Sequence, residues 1–149
     1  MAEPKRKYFL AICVILLITV AALAKDEVRR CNQCGMDLTK YPHSIYTIQW
    51  KDGTTSQTCG VQCGLTQQLK KKDLFKSAYA TDLITNQRVP AEEGFYVFKS
   101  SVTTDMGPGF IAFKQRVHAE KFQKGFGGQL LSYPEALKKW AQIKQLKPQ

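Results

Sequence analysis

The alternation of apolar and polar positions separates a short apolar segment at the N-terminus from a longer region of mixed elements. Residues 8–24 carry no charged side chain and follow the basic stretch 5–7. A basic start, an apolar core and small residues at its end are typical of a secretory signal peptide. The run is also near the lower limit of about 17 to 25 residues for a membrane span. The predicted organisation is a signal peptide or N-terminal membrane anchor at 1–24, a spacer at 25–30 and one exported domain at 31–149.

The exported region begins with a predicted β-hairpin that is followed by a helix. Residues 44–50 are rich in β-branched and aromatic side chains, and Asp52-Gly53 supplies a tight turn before a returning strand at 54–59. Residues 60–72 predict an amphipathic helix. Its apolar face is predicted to contain Val61, Leu65 and Leu69.

A similar order of elements recurs further along the chain. Strands are predicted at 77–81, 94–99, 110–113 and 129–133, and helices at 115–124 and 134–145. The last helix starts with a proline, which suits a first helical turn. Its predicted apolar face contains Leu137, Trp140 and Ile143. Because the order strand–strand–helix occurs twice, we predict an α+β fold in which two related halves pack as one small domain after an N-terminal apolar helix.

The chain is strongly basic, with 22 Lys and Arg against 12 Asp and Glu and a net charge of +10. The positive residues concentrate at 70–76 and 138–147. For an exported chain, this charge favours an acidic protein surface or anionic headgroups over nucleic acid as a partner. A solvated basic face that aids solubility is the alternative.

Two cysteine pairs in the exported region give the clearest chemical signal. They occur as Cys31-x-x-Cys34, which continues into Gly35, and as Cys59-x-x-x-Cys63. A two-residue gap lets both sulfurs of a tight turn face one ion, and Gly35 allows the backbone to turn past it. Cys59 is predicted to end a strand and Cys63 to lie in the first turn of the next helix. The positive end of that helix is expected to lower both thiol pKa values.

The spacing of these pairs leaves three interpretations open. Four thiolates form a closed tetrahedral zinc site. Two disulfides suit an oxidising exported compartment. A soft-metal site for copper(I) is the third interpretation. A thioredoxin-like redox motif is less favoured, because Cys31 has no predicted strand before it.

The methionines favour the soft-metal interpretation. Met36 directly follows the cysteine turn, and Met106 lies in a glycine-rich loop. Neither lies in an apolar run, whereas a methionine that fills a core usually does. A thioether suits copper(I) better than zinc. His43 lies close enough after the cysteine turn to add a nitrogen ligand, whereas His118 is expected to be a surface or packing residue within a helix.

No pattern in the sequence indicates an enzyme. The chain shows no nucleophile beside a positioned base, no phosphate-binding glycine loop and no catalytic pair of carboxylates. We therefore expect a binding protein.

The chain resembles the NosL family of accessory proteins for the copper-site maturation of nitrous oxide reductase. The resemblance begins at Cys31-x-x-Cys34-Gly35-Met36 and extends to about Trp140. The other matching motifs are Asp52-Gly53, Ala91-Glu92-x-x-Phe95-Tyr96-Val97, Met106-Gly107, Ala112-Phe113, Ala119-Glu120-x-Phe122 and Gly127-Gly128. Their order and spacing together are more specific than any one of them.

The resemblance implies an exported, membrane-tethered metallochaperone with a single copper(I) site. It implies delivery to a copper-dependent reductase or its ABC-type maturation complex, in the periplasm, at or beyond the inner membrane. Zinc is the alternative metal. The candidate metal ligands are Cys34, Met36, Met106 and then Cys31, as the resemblance implies, and Cys59, Cys63 and His43, from the residue pattern.

Three features depart from the family pattern. The chain lacks a lipidated cysteine at the end of its apolar segment, so a tether would have to be an uncleaved helix. Asp105 stands where a proline often precedes the methionine. Cys59 and Cys63 are additional, which leaves a second metal site, a zinc staple or a disulfide open. A structural-zinc or disulfide-stapled interaction domain without metal transport is therefore the alternative function.

Overall fold

The computed structural model describes residues 28–104 and 106–145. The predicted signal peptide or membrane anchor at 1–24 lies outside these residues. Within the described ranges, no helix combines the length and the apolar character that crossing a membrane requires.

The first half of the fold is a four-stranded antiparallel sheet with one helix. Its elements are β1 (Tyr46–Trp50), β2 (Thr55–Thr58), α1 (Val61–Lys70), β3 (Phe75–Thr81) and β4 (Arg88–Pro90). The strand order is β2-β1-β3-β4, so the β1–β2 hairpin forms one side of the sheet and β1 pairs with β3 in its middle. The helix α1 follows directly after this hairpin.

The second half is a three-stranded antiparallel sheet with two helices. Its elements are β5 (Phe95–Phe98), β6 (Phe110–Phe113), α2 (Arg116–Phe126), β7 (Gln129–Ser132) and α3 (Tyr133–Lys144). The strand order is β6-β5-β7. Ser132 and Glu135 form a capping box, in which the Ser132 N–H donates to the Glu135 carboxylate over 2.7 Å and fixes the start of α3.

The predicted α+β class with two strand–strand–helix units is confirmed. The strand β4 was not predicted, because its three residues are too few to show a pattern of their own. One local prediction was wrong. Ile143 was assigned to the apolar face of the last helix, but it is 45% exposed. The buried face of α3 instead follows Leu137, Trp140 and Ala141, which the spacing of a helix brings together.

Residues from both sheets share one apolar core. Ile48 of β1, Leu65 of α1 and Tyr96 of β5 are fully buried in it. Trp140 of α3 packs edge-on against Phe110 of β6, with 5.8 Å between ring centroids. The two halves are therefore one folding unit, held by burial of apolar surface between them.

Alternation along β5 divides its side chains between two clusters. Tyr96 and Phe98 enter the shared core, whereas Val97 joins a second cluster with Phe113 and with Ala119 of α2. Successive residues of a strand point to opposite faces, so β5 is buried on both sides.

The helix α1 is buried on its polar side as well as on its predicted apolar face. Two of its polar side chains accept hydrogen bonds from α3: Trp140 Nε1 donates to Thr66 Oγ1 over 2.8 Å, and the Tyr133 hydroxyl donates to Gln68 Oε1 over 2.7 Å. Buried polar groups are tolerated when they are paired in this way. The polar face was not expected to be buried, because amphipathic periodicity alone predicts a solvated face.

Gly64 lets α1 lie close against β1. A Cβ atom at this position would overlap the ring of Tyr46, which is fully buried. Gly64 follows Cys63 directly, so this close approach also sets the position of the first turn of the helix.

We expect Gly64→Ala to lower the free energy of unfolding by about 1–3 kcal/mol, the usual cost of overpacking a tight core. Denaturant unfolding measures the change. The matched control is Gly125→Ala near the end of α2, where an added Cβ meets no heavy atom within 4 Å. The control is expected to keep or slightly raise stability, because alanine favours a helix. Equal stability of both variants would show that the approach of α1 to β1 is not tight.

Candidate metal centre

Four cysteine sulfurs meet at the end of the first sheet where α1 begins. They come from the turn before β1 (Cys31 and Cys34), from the residue after β2 (Cys59) and from the first turn of α1 (Cys63). All four Sγ atoms lie within 4.8 Å of one another. We refer to these four residues as the cysteine cluster.

The first pair lies in a tight backbone turn. The Cys31 N–H donates to the Met36 carbonyl over 2.8 Å, and the Gly35 N–H donates to the Cys31 carbonyl over 2.9 Å. Gly35 has φ of +76°, a conformation that glycine adopts without strain. Gly35 therefore reverses the chain past the site, as predicted.

The turn is attached to the sheet through Asn32. Its N–H donates to the Gln57 carbonyl over 2.9 Å, and its side-chain oxygen accepts the Gln57 N–H over 2.8 Å. These two bonds extend the pairing of β2 to a residue that belongs to no strand. Asn32 was not predicted to have a role, although asparagine within a turn is a known signal for side-chain bonding to backbone.

The second pair is set by the end of the hairpin and the start of the helix. Cys59 Sγ lies 3.7 Å from Cys63 Sγ and 3.5 Å from Cys34 Sγ, so it is close to both pairs. The Ser44 hydroxyl donates to the Cys59 carbonyl over 2.7 Å. This bond connects the segment before β1 with the residue that follows β2.

The cysteine cluster is mostly inaccessible to solvent. Cys31, Cys59 and Cys63 are 3%, 1% and 6% exposed, whereas Cys34 is exposed. Leu38 is buried with the three inner cysteines, and the partly buried side chains of Met36 and Ile45 pack against them. The cluster thus forms a small core of its own, apart from the shared core of the two sheets.

The pKa values of the thiols differ across the cluster. Burial acts to raise the pKa of Cys31, but N–H groups of Cys59, Gln33 and Cys34 donate to its sulfur and hold the pKa below its ordinary value. Burial raises the pKa of Cys63 to about 12, and burial together with the neighbouring Cys63 raises that of Cys59 still further.

The expectation that the helix N-terminus lowers the pKa of both Cys59 and Cys63 was therefore wrong. Loss of solvation and the charge of the neighbouring sulfurs outweigh the helix dipole at these positions.

The distances within the cluster suit a single bound ion. A zinc ion bonded at about 2.3 Å to four tetrahedral sulfurs holds neighbouring sulfurs about 3.8 Å apart. Two of the separations here, 3.5 Å between Cys34 and Cys59 and 3.7 Å between Cys59 and Cys63, are close to that spacing. All four cysteines of the described residues are free thiols, so neither disulfide considered from the sequence is present.

The two methionines lie in different surroundings. Met36 packs against the cysteine cluster, whereas Met106 is 44% exposed. The loop that contains Met106 is attached to α1, because Gln62 donates to Thr104 Oγ1 over 3.2 Å and its side-chain oxygen lies 3.5 Å from the Phe110 N–H. Gln62 precedes Cys63, so the loop is fixed to the turn that carries one cluster sulfur. A ligand role for Met106 stays a prediction.

The histidines lie outside the cysteine cluster. His43 Nδ1 is 3.1 Å from Asn86 Oδ1, in the turn between β3 and β4. His118 lies in α2 and is partly buried. Among the described residues, the group that brings three or more cysteine, histidine or acidic side chains into metal-binding range consists of the four cysteines.

Comparison with known proteins identifies the family. The NosL family model matches residues 22–141, which include the cysteine cluster and both sheets. The chain belongs to the NosL family. The family resemblance predicted from the sequence motifs is therefore confirmed.

The fold of this NosL-family chain is also found in a solved structure. It is similar to the crystal structure of the copper chaperone NosL from Shewanella denitrificans, with a TM-score of 0.67 and 23% identity over 75% of this chain and 92% of that one. At this identity the similarity establishes the fold.

The chain also matches part of a longer curated relative. The chain is 25% identical over 121 residues to the HTH-type transcriptional repressor CutR of Bacillus subtilis (strain 168). The match covers 80% of this chain but 63% of the repressor, so this NosL-family chain spans less than two thirds of that relative.

We expect the reduced chain to bind one cobalt(II) ion, used as a spectroscopic probe, with the sulfur-to-metal absorption of a thiolate site. Cys63→Ser is expected to weaken this absorption strongly, because it removes one of four converging sulfurs. Cys13→Ser is the control and is expected to leave the absorption unchanged, since Cys13 belongs to the predicted N-terminal apolar segment and not to the cysteine cluster. Identical spectra for the Cys63→Ser variant and the unmodified chain would exclude the cluster as the binding site.

Proposed function

We propose that this protein is a copper(I)-binding accessory protein that carries copper to a copper-dependent partner. The observation that carries the proposal is the meeting of four thiols from three parts of a NosL-family chain. The similar protein from Shewanella denitrificans is a copper chaperone. This supports assigning the same kind of cargo to this chain.

The chemistry of the ligands favours a soft ion. Thiolates and thioethers select copper(I), and the cluster offers four cysteine sulfurs with Met36 packed against them. A thioether adds a soft ligand without adding negative charge to a buried site, where uncompensated charge is costly. We therefore propose copper(I) as the cargo.

We propose binding and transfer rather than catalysis. The side chains that meet at the site are thiols and a thioether, whose shared chemistry is coordination of an ion. A carrier must also release its cargo, and Cys34, the exposed residue of the cluster, lies where an incoming ligand can approach the site. The proposed role is thus that of a metallochaperone.

The proposed setting follows from the N-terminal segment and from the family. A basic start followed by an uncharged apolar run at residues 8–24 supports export through the inner membrane, with the segment either cleaved or kept as an anchor. We propose a copper-dependent reductase or its ABC-type maturation complex as the partner, on the periplasmic side.

A structural zinc site is the second candidate. The separations of Cys59 Sγ from Cys34 Sγ and from Cys63 Sγ are close to those of a tetrahedral tetrathiolate site, and three of the four cysteines are buried. Zinc in such a site would hold the segment before β1 against the sheet, as structural zinc does in small domains. Under this alternative the protein is an interaction domain that does not transport metal.

Competition between the two metals tests the proposal. When the reduced full-length chain is equilibrated anaerobically with copper(I) and zinc, we expect it to retain copper(I). Met36→Leu keeps the apolar volume and is expected to lower copper(I) affinity about tenfold, or about 1.4 kcal/mol, without changing zinc affinity. Met106→Leu is expected to have a smaller effect, because that side chain is 44% exposed.

Affinities are measured by competition with a chromophoric copper(I) chelator and by metal analysis. Preferential retention of zinc, together with unfolding of the chain when zinc is removed, would contradict the copper proposal. It would support the zinc-stabilised interaction domain instead.

A further inference from the structure

We propose that Cys34 is the ligand that exchanges with the copper acceptor, whereas Cys31, Cys59 and Cys63 retain the ion during transfer. This inference rests on the proposed copper(I)-binding function and assigns different roles to the four sulfurs. It also specifies the acceptor by its chemistry, as a protein that presents a sulfur ligand to the face of the site where Cys34 lies.

The burial of the cluster is strongly asymmetric. The three inner cysteines are at most 6% exposed, and Leu38 and Met36 pack around them. Cys34 is exposed, yet its sulfur lies only 3.5 Å from that of Cys59. An incoming ligand can therefore reach a bound ion from the side of Cys34, whereas the inner sulfurs are shielded by packed side chains.

Hydrogen bonds at the two ends of the cysteine turn place Cys34 at the surface. Asn32 is bonded on both its N–H and its side-chain oxygen to Gln57, which holds the start of the turn on the sheet. The turn then reverses at Gly35, and the Met36 carbonyl accepts the Cys31 N–H. Cys34 thus lies at the outer end of a turn whose two ends are fixed.

A positive charge lies beside this outer end. Arg30 is exposed, and its guanidinium donates to the Gly35 carbonyl over 3.2 Å. A guanidinium stays protonated under all ordinary conditions. It favours the approach of an anionic ligand, and the thiolate form of an acceptor cysteine is such a ligand.

The proposed step is a ligand exchange without electron transfer. The acceptor thiol loses its proton to solvent, and its sulfur forms a bond to the bound copper. The bond between copper and Cys34 Sγ then breaks, and the Cys34 thiolate takes a proton from solvent. Copper remains copper(I), and the inner sulfurs are displaced afterwards in the same way.

Cys34→Ser and Cys31→Ser form a matched pair of variants, because they replace an exposed and a buried cysteine of the same turn. The full-length chain is loaded with copper(I) and mixed anaerobically with excess bathocuproine disulfonate as the acceptor. The rate of copper transfer and the equilibrium affinity are both measured.

We expect Cys34→Ser to retain one copper(I) and to release it about tenfold faster, because the entering ligand need not displace a thiolate. Cys31→Ser is expected to lower affinity by more than about a hundredfold, since even outer-shell changes alter metal affinity by about 10–100-fold. Equal effects of the two changes, or unchanged release from Cys34→Ser, would overturn the assignment. Absence of copper(I) binding by the unmodified chain would instead overturn the proposed function.

A measurement on the unmodified chain covers the case in which Cys31→Ser does not fold. Brief reaction of the metal-free reduced chain with a bulky maleimide, followed by peptide mapping, compares the four cluster cysteines. We expect Cys34 to be labelled much faster than the other three cysteines, and prior loading with copper(I) is expected to protect it. Equal labelling of all four, or labelling of Cys34 that copper(I) does not slow, would contradict the proposal.

Discussion

The pairing of the first cysteine turn with β2 is the constraint on which the metal centre depends. Asn32 makes two hydrogen bonds to Gln57, and these bring the sulfur of Cys34 within 3.5 Å of that of Cys59, although 25 positions separate the two residues in the chain. Leu38, Met36 and Ile45 of the segment before β1 pack with the cysteines that this pairing brings together. The cysteine cluster is therefore a product of the fold and contributes to holding it together.

In the metal-free cluster, burial and hydrogen bonding shift the thiol pKa values in opposite directions. Burial raises the pKa of both Cys59 and Cys63, whereas backbone N–H donors lower that of Cys31. The pKa values of neighbouring sulfurs are thus shifted in opposite directions within one site. A metal ion that binds here displaces protons from the thiols, and its positive charge compensates the negative charge of the buried thiolates.

Much of the fold could be predicted from the chain alone, because local signals and burial agree. The strand 110–113, the hairpin turn at Asp52-Gly53 and the apolar face of α1 follow from residue type and period. The strand β4, the exposure of Ile143 and the burial of the polar side of α1 depend on how distant elements pack, which no local pattern contains.

The same contrast holds for the site, where residue spacing predicts the ligands but not their exposure or their anchoring. Spacing selected all four cysteines and Met36, but it could not indicate that Cys34 alone would be exposed or that Asn32 would anchor the turn. The direction of the thiol pKa shifts was wrong for Cys59 and Cys63, because solvation depends on tertiary packing.

X-ray absorption spectroscopy of the copper-loaded full-length chain tests most directly whether both cysteine pairs hold one soft ion. We predict a first coordination shell of sulfur alone that changes when a cysteine of either pair is replaced by serine. A shell dominated by nitrogen or oxygen, or one that is unaffected by replacing both Cys59 and Cys63, would contradict the account.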